Sequence, residues 1–210
     1  MDNATPVLQV HHLCFGYPQR TLFKHWSAHL RSGATLVRGG DSSGKTTLLH
    51  LLAGVLVPEQ GSLVLAGTAA ASAPEAYRRQ VFWQDPRSDA LHAQSARTWF
   101  DSLPARYRAW DAQALAAHVQ GFGLQPHLDK PLYQLSSGSQ RKVLMAAALA
   151  SGAVLTLIDE PLAGLDRPSI IYLQHALTRT AAQAGRAIVV AHYETLPDVP
   201  WVDEIVLPDE

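Results

Sequence analysis

Eight consecutive residues, Gly39-Gly40-Asp41-Ser42-Ser43-Gly44-Lys45-Thr46, restrict what this chain can fold into more than any other feature of its sequence. They fit the pattern G-x-x-x-x-G-K-[ST], in which glycines let successive backbone N–H groups curl around phosphate oxygens. Such a loop works between a strand that delivers it and a helix whose positive N-terminal end points at the same oxygens. Both flanks are present. The apolar run Thr35-Leu36-Val37 leads in. Thr46 to Ala53, with Leu48, Leu49, Leu51 and Leu52 for packing and Gly54 as a stop, reads as a helix. Gly39, Gly40, Asp41, Ser42, Ser43 and Gly44 offer their backbone to phosphates, with Thr47 next to them on the helix. Lys45 can reach the β- and γ-phosphates, and the Thr46 hydroxyl can ligate Mg²⁺. At average residue usage a chance match somewhere in a chain this long has a probability on the order of 1%. The loop is therefore read as a nucleotide site.

A second segment gains its meaning from the first. Val154-Leu155-Thr156-Leu157-Ile158 is a continuous apolar run that ends in Asp159-Glu160, as a strand buried on both faces would. A carboxylate at the tip of such a strand beside a phosphate loop can hold the metal, which casts Asp159 as a metal ligand with Thr46. Glu160 is placed to polarise an attacking water as a general base.

Elsewhere, Leu8, Val10, His12 and Cys14 alternate with polar residues as a strand ending at Gly16-Tyr17-Pro18, and Ser27 to Leu30 leads to a second turn. Gly61 to Gly67 reads as a strand between glycine turns. Residues 85 to 135 carry short, polar helical stretches anchored by Trp99, Phe100, Leu115 and Phe122. A helix starts near Ser136, another runs from Pro168 to Ala184, and Ala187 to Ala191 is a second buried strand. Strands alternating with helices imply an α/β fold with a largely parallel sheet.

On these residues the chain resembles the ABC ATPase family. Leu135-Ser136-Ser137-Gly138-Ser139-Gln140-Arg141 resembles the family signature LSGGQ, and Leu162-Ala163-Gly164-Leu165-Asp166 resembles its D-loop. His192 sits where the family places a switch histidine, Gln84 resembles the Q-loop glutamine, and Tyr17 resembles the aromatic that stacks on adenine. The resemblance implies a P-loop NTPase core of RecA-like type, with a small antiparallel β subdomain and an inserted α-helical subdomain. It divides a single cassette, 1–210, into a β part with the phosphate loop (1–84), a helical part with the signature (about 85–150) and the rest of the core (151–210). It implies ATP and Mg²⁺ as cofactors and ATP hydrolysis as the reaction, with Glu160, His192 and Gln84 in catalysis. Gln84 would also serve the metal. Two cassettes would pair head to tail as a homodimer or heterodimer, so that Ser136, Gly138 and Asp166 close on the partner's ATP. Ser42, Ser137 and Ser139 depart from the usual glycines and glutamine of the family.

Composition sets the remaining bounds. A formal net charge of -1 leaves no cationic excess for nucleic acid, which is not expected as a partner. The single cysteine, Cys14, excludes an intrachain disulfide. The longest apolar stretch, Val143 to Ile158, is broken by Ser151-Gly152 and falls short of a membrane span, so a soluble, cytoplasmic chain is expected. By the resemblance it would sit peripherally on the inner face of the cell membrane, bound to an integral transporter subunit. Trp83, Trp99 and Phe100 are expected in or near the docking groove for that subunit, with Arg87 close by. In length, and with no C-terminal regulatory extension, the chain resembles the haem-exporter ATPases of cytochrome c maturation. Two alternatives are a degenerate or regulatory cassette in a heterodimer and a non-transport ABC ATPase. The second usually carries a long insertion that the fifty or so residues between Gln84 and Leu135 leave no room for.

Overall fold

The computed structural model describes residues 6–208. Two sheets organise them. Strands β1 (Leu8–Tyr17) and β2 (Arg20–Leu30) form an antiparallel hairpin. After β3 (Gly33–Arg38) and helix α1 (Lys45–Leu52), the strands β4 (Gln60–Leu65) and β5 (Thr68–Ala69) join that hairpin in the order β2-β1-β4-β5. Helix α2 (Pro74–Arg79) and strand β6 (Val81–Phe82) follow. Next come α3 (Ala96–Ser102), α4 (Ala112–Gly121) and α5 (Ser137–Ala150), which build the helical layer. The chain closes with β7 (Leu155–Asp159), α6 (Arg167–Ala181), β8 (Ala187–His192) and β9 (Trp201–Val206). The second sheet runs β6-β7-β8-β3-β9, every neighbour parallel.

The apolar runs of β7 and β8 are explained by which face each residue serves. Leu155 and Leu157 of β7, with Ala187, Val189 and Ala191 of β8, pack toward α1 and the antiparallel sheet. Ile158, Ile188 and Val190 point the other way, into the core shared with α5 and α6. A strand covered on both sides has no polar face, so alternation vanishes from its sequence. The main polar intrusion is met locally: Thr156 accepts a hydrogen bond from the buried Arg186 (3.2 Å), whose Nε also donates to the Ala153 carbonyl (3.1 Å).

Several elements differ from the sequence expectation. Strand β2 begins at Arg20, seven residues before Ser27, because its outer half pairs with β1 through a register broken by bulges. Helix α6 ends at Ala181, ahead of Gly185. Strands β5 and β9 and helix α2 carry too little apolar periodicity to be read; β9, Trp-Val-Asp-Glu-Ile-Val, is an edge strand with mostly exposed residues. Trp99 and Phe100 are buried in the helical layer, 6% and 4% exposed, and belong to its core; Phe100 also borders a surface cleft with Arg97, Leu115 and Leu128, away from Gln84. Trp83 packs edge-on against His50 at 5.3 Å. Among the described residues no helix is long and apolar enough to cross a membrane.

Candidate active site

The register of the parallel sheet assembles the site. Arg38, the last residue of β3, pairs with His192 of β8, and Asp159 of β7 pairs with Ala191. Three parallel strands therefore end level. The phosphate loop, the Asp159-Glu160 exit and His192 come out at one carboxyl edge, the place where open α/β sheets bind ligands.

The loop itself follows the path its glycines permit. Gly44 holds φ 98 and is the N-cap of α1 without any side-chain cap, so the first-turn N–H groups of α1 are left for another acceptor. A Cβ on Gly39 would stand 2.4 Å from Ser43 Oγ, so the loop curls too tightly for a side chain there. Ser42, where the family usually has glycine, takes φ 61, the left-handed conformation glycine would adopt freely. Its carbonyl accepts from Arg20 Nη1 at 2.9 Å, which ties the strained residue to the β1–β2 hairpin.

The charged groups converge. Lys45 Nζ donates to the Gly39 and Gly40 carbonyls (2.9 and 2.8 Å) and lies 3.4 Å from Glu160 Oε1. Glu160 Oε2 accepts from His192 Nδ1 at 2.7 Å. Burial opposes ionisation of Glu160, yet the His192 hydrogen bond and the charges of His192 and Lys45 hold its carboxyl below the usual range. Thr46 Oγ1 donates to Asp159 Oδ2 at 2.7 Å. Burial pushes the Asp159 carboxyl up, against the Thr46 hydrogen bond and the Arg87 charge.

Three buried polar atoms here have no hydrogen-bond partner: Ser43 Oγ, Asp159 Oδ1 and His192 Nε2. Orphans of this kind are costly and mark places where a ligand completes the network. The pair of hard oxygens at Thr46 and Asp159, one of them unpartnered, fits Mg²⁺, which takes few protein ligands and shares the rest with phosphates. Among the described residues no group of three or more His, Cys, Asp or Glu residues suited to a metal occurs.

The cleft around the loop has a volume of about 620 Å³ and is lined by Tyr17, the loop residues Asp41 to Thr47, Arg20, Arg87, Glu160 and Tyr193 among others. Tyr17 is half exposed at its rim, with its hydroxyl 3.4 Å from Thr47 Oγ1. Gln84 stands apart from this lining: it borders a narrow crevice with Phe82, Arg141 and Asp159. Gly39, Gly40, Asp159 and His192 lie behind this lining, and Ser136, Gly138 and Asp166 do not line it either. Ser136 caps α5 by accepting from Ser139 N, and Asp166 caps α6 by accepting from Ser169 N. Hydrogen bonds from Lys142 and Ser169 hold the Asp166 carboxyl well below its ordinary range.

Two residues acquire roles here that no local pattern announces. Arg87, expected beside a partner groove, reaches the Thr46–Asp159 corner: its Nη2 is 3.3 Å from Thr46 Oγ1 and 3.7 Å from Asp159 Oδ2. Arg20 is positioned by the β1–β2 turn that also presents Tyr17. Each contact joins residues 22 to 72 positions apart, so only the fold could bring them together.

Comparison with known proteins agrees with this geometry. Residues 23–163 match the family described as ABC transporter. The chain is 34% identical over 204 residues, 95% of this chain and 94% of the other, to the cytochrome c biogenesis ATP-binding export protein CcmA of Pseudomonas savastanoi pv. phaseolicola. It is also 34% identical to the CcmA protein of Alkalilimnicola ehrlichii, over 92% of this chain and 83% of that one. Among solved structures, an ATP-binding subunit of an ABC transporter superposes with a TM-score of 0.79 at 23% identity, covering 89% of this chain and 79% of that one. A dimeric ATP-binding cassette in a post-hydrolysis state with ADP and phosphate superposes at 0.74 and 17% identity, covering 89% and 88%.

Proposed function

This chain belongs to the ABC transporter family of ATP-binding subunits, and from that premise we propose that it is the MgATP-driven motor of a cytochrome c biogenesis exporter, working as a dimer on a membrane partner. Binding and hydrolysis of ATP follow from the family. The exporter role follows the relatives over nearly the whole length of both chains.

The observation that carries the reading is the linked set Lys45–Glu160–His192 beside Thr46–Asp159, all on one carboxyl edge. Lys45 and the first turn of α1 bind the β- and γ-phosphates. Mg²⁺, held by Thr46 and Asp159 together with phosphate oxygens, would supply charge neutralisation on the transferring group. As the γ-phosphate draws Lys45 toward itself, Glu160 keeps His192 as its partner and is free to take a proton from the attacking water. His192 Nε2, buried and unpartnered, is available to the γ-phosphate side. Tyr17 stacks the base at the cleft rim. Gln84, which shares a crevice with Asp159, would approach the metal from the helical side. Ser136 and Gly138 lie outside this chain's own cleft, as they must if they close on the partner's ATP. With Ser42 following the glycine path and every charged position in place, the site reads as competent instead of degenerate.

The test is Glu160→Gln. Turnover is expected to fall about 10²–10⁴-fold, the range for losing a general base, or ~3–5 kcal/mol of barrier. The variant should still bind MgATP and, unable to turn it over, sediment as a dimer with MgATP and as a monomer with MgADP. Turnover within a few-fold of the parent removes Glu160 from this role, and a monomer at saturating MgATP removes the dimer.

A further inference from the structure

Behind the cleft, a guanidinium that touches no part of the phosphate loop grips the backbone that carries Glu160. Arg141 stands one turn into α5, five residues after the capping Ser136. Its Nη1 donates to the Glu160 carbonyl at 2.7 Å and to the Asp159 carbonyl at 3.3 Å. Burial lowers the pKa of this guanidinium, against the attraction of the two neighbouring carboxylates, so the group is held here at a desolvation cost.

What it holds is unusual backbone. Glu160 has φ 44, the left-handed region that a residue with a side chain enters only when its surroundings impose it. On one side the Glu160 N–H donates to the Ala191 carbonyl of β8 (2.9 Å); on the other, Arg141 grips the Glu160 carbonyl. The direction in which the Glu160 carboxylate leaves the strand depends on both.

The same turn of α5 is fastened to the segment after Glu160 twice more. Lys142 Nζ pairs with Asp166 Oδ2 at 2.7 Å. Gly138 lies so close to Gly164 that an added Cβ would meet the Gly164 carbonyl oxygen at 2.1 Å. The start of α5 and residues 159–166 therefore move together, since close-packed contacts transmit displacement and do not absorb it.

We infer that Arg141 is a positioning residue for Glu160, and that it relays contact at the signature end of α5 to the hydrolytic carboxylate of the same chain. This rests on the dimer proposed above. There, Ser136 and Gly138 touch the partner's ATP while Glu160 acts on the chain's own, so the Arg141 link runs between the two nucleotide sites. Occupancy of one site sets the aim of the base at the other, and in a head-to-tail dimer of identical chains the same link runs in both directions.

The experiment uses the full chain and compares the parent with Arg141→Ala and Arg141→Lys. Steady-state turnover is measured against ATP concentration, and nucleotide affinity is measured at protein concentrations too low for dimers. The parent is expected to show a Hill coefficient above 1. Arg141→Ala should lower kcat about 10–100-fold, as a misplaced catalytic group does. It should also bring the Hill coefficient to 1, with single-site affinity within about twofold. A merely structural role would reduce the folded fraction and leave the Hill coefficient of the remaining dimers unchanged. If Arg141→Ala lacks a cooperative unfolding transition, Arg141→Lys decides: its ammonium ends one bond short of both carbonyls, and the same loss of cooperativity with a smaller drop in kcat is expected. Parental kcat and Hill coefficient in the deciding variant overturn the inference while the dimer stands. A parent that turns over ATP with a Hill coefficient of 1 removes the coupled dimer itself, and the inference with it.

Discussion

Gly138 provides a stability test that separates two reasons for a glycine in the signature. One reason is the partner's phosphate, which needs close backbone approach. The other lies within the chain: a Cβ at Gly138 would stand 2.1 Å from the Gly164 oxygen and 2.9 Å from its carbon, both rigid backbone. Gly138 sits in the first turn of α5 without a positive φ, so Ala suffers no backbone strain there. Two terms of opposite sign then decide Gly138→Ala. Helix propensity favours Ala by about 1 kcal/mol. Overpacking against a neighbour that cannot swing away costs typically 1–3 kcal/mol, and an overlap of more than an ångström against backbone belongs at the upper end. The net is a loss of about 1–2 kcal/mol, or a Tm lower by roughly 2–8 °C for a chain of this size. The assay is thermal unfolding of dilute, nucleotide-free protein, where no partner or phosphate contributes. A Tm unchanged or raised, as helix propensity alone predicts, refutes the packing argument. Combined with lost ATPase activity, it would show that the glycine serves only the phosphate.

Two further outcomes follow from buried titratable groups. His118, buried between α4 and α6 against Tyr172 (3.0 Å), is pushed down to about 4, first by burial and then by Arg179. It stays neutral in the fold while the unfolded chain takes up a proton below about pH 6.5, so stability is full above that pH and is lost as pH falls toward 4, by about 3 kcal/mol in all. His118→Phe should flatten that part of a pH–stability profile measured in denaturant; an unchanged acid limb would exclude His118 as its source. For Asp159→Asn, nucleotide affinity should lose most of its Mg²⁺ dependence, by about tenfold or more (~1.4 kcal/mol), in titrations with and without the metal. Retained Mg²⁺ enhancement would move the ligand elsewhere.

The phosphate-loop pattern and the acidic strand end were legible because they are local. Gly39 to Thr46 and the run ending in Asp159-Glu160 are each contiguous, and their meaning depends on backbone path and strand burial, which short spans of sequence express directly. The caps at Ser136 and Asp166 are local in the same sense, since an N-cap bonds a residue three positions on. Strand β9 and helix α2 were not legible: an exposed edge strand and a six-residue helix owe their form to neighbours, and neither shows the apolar period of an independent element. The aromatic anchors Trp99 and Phe100 show the limit from the other side. A sequence shows that they are apolar, and only packing decides whether they face a groove or a core. Arg20, Arg87 and Arg141 are the extreme case. Each binds a backbone carbonyl or side chain 18 to 72 positions away, and a guanidinium on a long stem carries no periodicity that points to its partner. By itself the sequence determined the phosphate-loop pattern and the acidic strand end, because each is one contiguous segment, whereas setting Thr46 against Asp159, 113 positions on, took the fold. The tertiary structure alone decided how Glu160 is held, because the level ends of three parallel strands and the approach of α5 are properties of the packed sheet.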